Sequence, residues 1–137
     1  MKKLPLSLIG LTLMVGLVFS ACSDDDNILN LQDQYQFQVT NNPDDFQFVV
    51  TDLQNATVTV PYDWTNSGTR ATIGHSSTVD SGTATIDVYD DLDSLVYSND
   101  LLATSNGQSS VGVAGSWRIV VTLADFYGSL DFTVQMQ

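Results

Sequence analysis

Four carboxylates crowd one short stretch of the chain: Asp87, Asp90, Asp91 and Asp93, one to three residues apart. Ca²⁺ takes about six to eight oxygen ligands, and a loop holding several carboxylates so close can aim them at one point. Aspartate also favours turns, because its side chain bonds the backbone two residues on. The segment therefore reads as a Ca²⁺ site or as a solvated hairpin turn, and its spacing is not that of an EF-hand. A second kind of chemistry is stacking: Tyr62 and Trp64 project from one face of a single alternating run. Turned outward, such a pair binds sugar rings; turned inward, it continues the core begun by Val58 and Val60. The third is nucleophilic. His75, the only histidine, precedes Ser76 and Ser77, but triads assemble in space rather than by adjacency, and His75 also continues the alternation of Ala71 and Ile73.

Two shorter strings resemble known motifs. Asp80-Ser81-Gly82 is similar to the aspartic-protease triplet, but that chemistry needs two aspartates sharing a proton and no second triplet is present, so a turn is expected. Asp93-Ser94-Leu95 resembles the three-residue O-glycosylation signal of bacteria that carry surface lipoproteins, which implies Ser94 as the acceptor.

Composition removes whole classes of function. All sixteen acidic residues are aspartates, and only Arg70 and Arg118 are basic beyond Lys2 and Lys3. With the first twenty-one residues removed, two arginines face sixteen aspartates, a formal charge of −14. Such a chain offers no basic patch to nucleic acid or to anionic lipid. With no glutamate, and no lysine after cleavage, Schiff-base chemistry and glutamate acid/base pairs are excluded as well. Cys22 is the only cysteine, so no disulfide forms within the chain.

The N-terminus carries an address. Met1-Lys2-Lys3 is a basic start, and Leu4 to Ala21 is apolar but interrupted by Pro5, Ser7, Gly10, Thr12, Gly16 and Ser20, the pattern of an export signal. Phe19-Ser20-Ala21-Cys22 resembles the lipobox of bacterial lipoproteins, with Phe19 where Leu is usual. The resemblance implies cleavage before Cys22, lipidation of that cysteine and anchoring at the cell envelope. Ser23-Asp24-Asp25-Asp26 resembles the acidic export run of Bacteroidota-type lipoproteins, which implies the outer membrane and the cell surface. Three segments are expected: a signal peptide over 1–21, an acidic tether over 22–33 and one domain over 34–137.

Within the domain, period-two alternation dominates and no helical stripe stands out. Apolar residues alternate around 35–39, 46–50, 58–64, 71–75, 84–88, 95–97, 117–123 and 130–136. Turn residues separate them at Asn41-Asn42-Pro43-Asp44, Gln54-Asn55, Asn66-Ser67-Gly68, Asp80-Ser81-Gly82, Asp90-Asp91-Leu92-Asp93 and Tyr127-Gly128. Pro61 cannot donate to a ladder and places its strand at an edge or a bulge. Residues 103–115 read as a loop. About eight short strands at this spacing predict an all-β fold, an antiparallel β-sandwich of jelly-roll or immunoglobulin-like type.

The closing segments, Gly115-Ser116-Trp117-Arg118-Ile119-Val120-Val121 and Gly128-Ser129-Leu130-Asp131-Phe132-Thr133-Val134, resemble the last hairpin of jelly-roll and immunoglobulin-like accessory domains. The bacterial pre-peptidase C-terminal domain is similar, with Ile86-Asp87-Val88-Tyr89-Asp90 as its central strand. The expectation is a non-catalytic binding or structural module, held to the membrane by its lipid and meeting an envelope protein or a glycan. No cofactor is expected unless the aspartates hold Ca²⁺. The competing expectation is a carbohydrate- or calcium-binding accessory subunit of a surface uptake system.

Overall fold

The computed structural model describes residues 34–137; the expected signal peptide, tether and Cys22 lie outside them. Six strands form one antiparallel sheet: β1 (Gln38–Asn42), β2 (Asp45–Asn66), β3 (Ala71–Tyr89), β4 (Leu95–Asp100), β5 (Ser105–Gln108) and β6 (Gly115–Met136). Their order is β1-β2-β6-β3-β4, with β5 also paired to β3.

Three of these strands are long enough to fold over on themselves. Phe46 and Tyr62 lie on the same strand, and sixteen extended residues would span about 50 Å, yet their ring centroids are 5.3 Å apart. The Asp44 N–H likewise donates to the Thr65 carbonyl at 2.8 Å. The fold-over occurs at irregularities in neighbouring ladders: register shifts fall between Val50 and Val58 in β2 and between Val79 and Thr83 in β3. Asp52, Asn55, Gly82, Asp125 and Gly128, all near this line, have positive φ. The result is a β-sandwich. One layer runs β1, β2 (45–50), β6 (130–135), β3 (71–78), β5, and the other runs β2 (56–66), β6 (115–123), β3 (83–89), β4.

The core fills the space between the layers by the alternation the sequence carries. Phe46, Phe48, Val50, Ile73, Leu130, Phe132 and Val134 from the first layer meet Val60, Trp64, Ile86, Val88, Trp117, Ile119, Val121 and Leu123 from the second, all buried. Phe132 stacks between Phe48, at 5.1 Å, and Phe46, at 6.0 Å.

Seven of the eight expected segments are strand throughout and 35–39 is strand from Gln38, but three expected turns are not chain reversals. Gln54-Asn55, Asp80-Ser81-Gly82 and Tyr127-Gly128 lie inside continuous strands. Residues with positive φ serve a bulge as well as a hairpin, and here they bend the sheet. Two further corrections concern ends and edges. β1 begins at Gln38 rather than near Tyr35, because Gln36 has a φ of 60°. Ser105–Gln108, expected as loop, pairs with Thr72–His75. Pro61 sits where β2 has only β6 beside it, so the edge alternative holds, and the register runs regularly through it. That edge is closed further on by Asn41, whose Nδ2 donates to the Asp63 carbonyl at 2.8 Å, a cap that blunts pairing with another chain.

Candidate functional site

The aspartate turn is a structural device. Asp90 is buried, and its Oδ1 accepts the N–H groups of Leu92 and Ser94 while Oδ2 accepts that of Val113. The Ser94 N–H foremost, then those of Val113 and Leu92, hold its carboxyl below the usual carboxylate range against the opposing effect of burial. Asp91 accepts the Ser116 N–H, Asp87 accepts the Ser98 hydroxyl, and Asp93 pairs with Arg118 at 2.7 Å. The four carboxylates thus share no partner, and among the described residues no three metal-binding side chains gather. The carboxylates of Asp87, Asp90, Asp91 and Asp93, expected as Ca²⁺ ligands, are bonded to a serine hydroxyl, backbone N–H groups and an arginine rather than gathered at one point.

Tyr62 and Trp64 face inward, 6 % and 1 % exposed. Tyr62 packs on Phe46 and Phe48, and Trp64 meets Trp117 edge to face. Neither ring offers a face to a sugar, so the pair is core. His75 is 6 % exposed, and neither ring nitrogen has a hydrogen-bond partner; the Ser77 hydroxyl is likewise unpaired. No Ser-His-Asp relay is assembled at His75. Asp80-Ser81-Gly82 spans the bulge of β3. Ser94 is exposed on the turn after Asp93.

What the structure does bring together is the outer face of the first layer, through three ladder rows. Asn42, Asp45, Gln135, Thr72 and Gln108 form one; Thr40, Gln47, Thr133, Gly74 and Asn106 the next; Gln38, Val49, Asp131 and Ser76 the third. Because side chains alternate across a strand, every one of these positions points away from the core, and all but Val49 and Gly74 carry a polar side chain. Glycine at position 74 leaves the middle row hollow. A β-carbon there would come within 2.7 Å of the Asn106 Oδ1, which leans across the gap. The hollow is a cleft of about 380 Å³ reaching Gln47, Gly74, Ser76, Thr104, Asn106, Asp131 and Thr133. A second cleft of about 240 Å³, reaching Thr51, Thr78 and Ser129, shares Ser76 and Asp131 with it. Together they make one polar trough.

Most of its side chains are not used to hold the fold. Asp44, Asp90, Asp91, Asn66 and Ser109 are each tied to backbone groups. In the trough the side-chain hydrogen bonds are that from Gln47 Nε2 to Asp131 Oδ1, at 3.1 Å, and that from the Asp52 N–H to the Ser129 hydroxyl, at 2.9 Å. Sequence reading did not single these residues out: they come from four strands, and their only signal is the polar half of each alternation.

No known family and no curated protein matches the chain. Solved structures resemble it at low identity. One described as "CBM4 structure and function" aligns with a TM-score of 0.43 and 13 % identity over 75 % of this chain and 79 % of that one. A glycoside hydrolase family 43 arabinoxylan arabinofuranohydrolase from Bacillus subtilis, in complex with cellotetraose, aligns at 0.34 and 14 % over 71 % of this chain and 20 % of its own. The disulfide-linked pili of Bacillus endospore appendages align at 0.36 and 16 % over 88 % of this chain and 100 % of theirs.

Proposed function

We propose that this protein is a lipid-anchored lipoprotein of the cell envelope whose β-sandwich is a non-catalytic binding module, and that its receptor surface is the polar trough. The observation that carries the reading is the concavity on the outer face of the first layer and its polar lining. Ser76, Thr104, Asn106 and Thr133 line one continuous concavity with side-chain bonding capacity not spent on the fold. The anchor rests on the lipobox-like Phe19-Ser20-Ala21-Cys22 and the acidic run after it; the several acyl chains of a lipoprotein, at about 0.8 kcal/mol per buried CH₂, hold such a domain firmly. A non-catalytic role is supported by the unpartnered His75. Ser94, exposed within Asp93-Ser94-Leu95, is a proposed O-glycan acceptor.

The test places a photo-crosslinking amino acid at Ser76 in cells, with a control at Thr122 on the outer face of the other layer. Intact-mass analysis of wild type and Cys22→Ala on the same membranes reads the anchor. A lipid-sized mass lost in Cys22→Ala, with adducts from position 76 alone, is expected. No adducts from position 76, or equal adducts from both positions, would remove the trough as receptor surface.

A further inference from the structure

Resting on that reading of the trough, we infer that its ligand is a neutral, hydroxyl-rich oligosaccharide gripped by hydrogen bonds without ring stacking, with Asp131 the specificity-determining residue.

Charge decides the first half. The three rows include Asp45 and Asp131 and no cation. Both arginines of the domain are engaged elsewhere: Arg118 pairs with Asp93 and lies 4.5 Å over the Tyr89 ring, and Arg70 donates to the Ser109 carbonyl. On a chain this acidic, a uronate, sulfate or phosphate meets repulsion with no local compensation.

Backbone geometry gives an extended peptide no free edge at the cleft floored by Gly74. A peptide bound along a sheet is held by main-chain hydrogen bonds at a free edge. Under the Gly74 cleft the segments of β2, β6 and β3 already pair with neighbours on both sides, and only at the far end of the trough do Ser76–Thr78 of β3 pair with β6 alone. What it presents instead, beside Val49, Val50 and Leu130 in the second cleft, is amides, hydroxyls and one carboxylate, a set of donors and acceptors that suits hydroxyls, which both give and take a bond. No aromatic ring lines either cleft apart from the imidazole of the buried His75, so stacking contributes nothing. From β5 to β2 the trough crosses three strand spacings, about 14 Å, which seats a short chain of sugars rather than one ring.

Asp131 stands at the junction of the two clefts. Gln47 Nε2 donates to its Oδ1, which fixes the carboxylate and leaves Oδ2 for a ligand hydroxyl. Aspartate there only accepts; asparagine would turn one acceptor into a donor.

The experiment titrates the full lipoprotein, in detergent, with neutral tetrasaccharides (xylotetraose, mannotetraose, laminaritetraose) and with tetragalacturonate, by calorimetry at physiological and at raised salt. At least one neutral sugar is expected to bind, with an affinity indifferent to salt, and tetragalacturonate is expected not to bind. Asp131→Asn and Ser76→Trp, both at exposed positions, should each weaken binding more than tenfold while leaving the melting temperature unchanged. If tetragalacturonate binds as well, the inference on charge is overturned and the trough stands. If a neutral sugar binds but both variants bind it like wild type, the trough itself is overturned. If no neutral sugar binds, the oligosaccharide inference falls, and the crosslinking at Ser76 decides the trough independently.

Discussion

Trp64 and Trp117 stand opposite each other on β2 and β6, their rings edge to face with centroids 6.1 Å apart and planes at 84°. Each indole N–H is satisfied by a carbonyl, Trp64 by Asn42 at 3.1 Å and Trp117 by Val113 at 2.7 Å. The pair therefore pins the turn after β1 and the loop before β6 to the same end of the core. Trp117→Ala is expected to cost about 3–5 kcal/mol, the range for deleting a buried large aromatic, measured by urea unfolding. Both rings belong to the second layer, away from the trough, so tryptophan emission should be blue-shifted, resist acrylamide quenching and stay unchanged when the trough fills.

Gly128 faces the Thr78 carbonyl oxygen, and Gly82 the Asp125 carbonyl oxygen, so closely that neither could carry a β-carbon without moving backbone. Their φ angles, 146° and 85°, are also ones that other residues rarely adopt. Gly128→Ala and Gly82→Ala should each destabilise by at least about 3 kcal/mol, strain in the dihedral adding to the clash. Ser129→Ala, beside Gly128, removes only the hydroxyl that accepts the Asp52 N–H at 2.9 Å and should cost about 1 kcal/mol. Denaturant midpoints of the three variants separate the fold-over line from its surroundings.

The sequence carried the core because burial follows period two: Phe46 and Phe48, Ala84 to Val88 and Trp117 to Leu123 alternate, and all are inward. It did not carry the continuity of β2, β3 and β6. Asn55, Gly82 and Gly128 have the chemistry of a hairpin turn and of a bulge alike, and only the pairing partner across the sheet distinguishes them. β5 escaped notice because Ser105-Asn106-Gly107-Gln108 has no apolar alternation; it is held by its register with β3. The aspartates were legible as a cluster, but their use was decided by the N–H groups of Val113 and Ser116, more than twenty residues downstream. The trough was hidden for a related reason, since Gln47 and Thr133 are ladder neighbours from opposite ends of the domain.

Tyr62 and His75 bury polar atoms without partners. An unpaired buried polar group costs about 1–3 kcal/mol, so removing it at constant shape is neutral or stabilising. Tyr62→Phe and His75→Leu should accordingly match or exceed wild type in thermal unfolding at neutral pH. Burial also pushes the Tyr62 phenol well above its ordinary value of about 10. A raised value means that the stability it supports is intact below the unfolded value and is lost as pH climbs. Above pH 10 the wild type should therefore lose stability faster than Tyr62→Phe; parallel alkaline curves would show that the phenol is not held in the core.

Asp90 ties the 90–94 turn to the loop before β6, and its carboxylate works as an acceptor on both oxygens. Asp90→Asn keeps one carbonyl oxygen for Leu92 and Ser94 but sets an NH₂ against the Val113 N–H, donor against donor. The variant should melt below wild type at neutral pH. Because hydrogen bonds from Ser94, then Val113 and Leu92, depress the folded value, the wild-type advantage is complete above the ordinary carboxylate range. It vanishes as pH falls through the depressed value. Melting curves from pH 7 down to pH 2 should show the two proteins converging only in acid. Since the other three aspartates of the turn are already bonded to Ser98, Ser116 and Arg118, neither chelator nor millimolar Ca²⁺ should move the wild-type melting temperature at pH 7. A rise with Ca²⁺ that Asp90→Asn abolished would mean that the turn rearranges to take the ion.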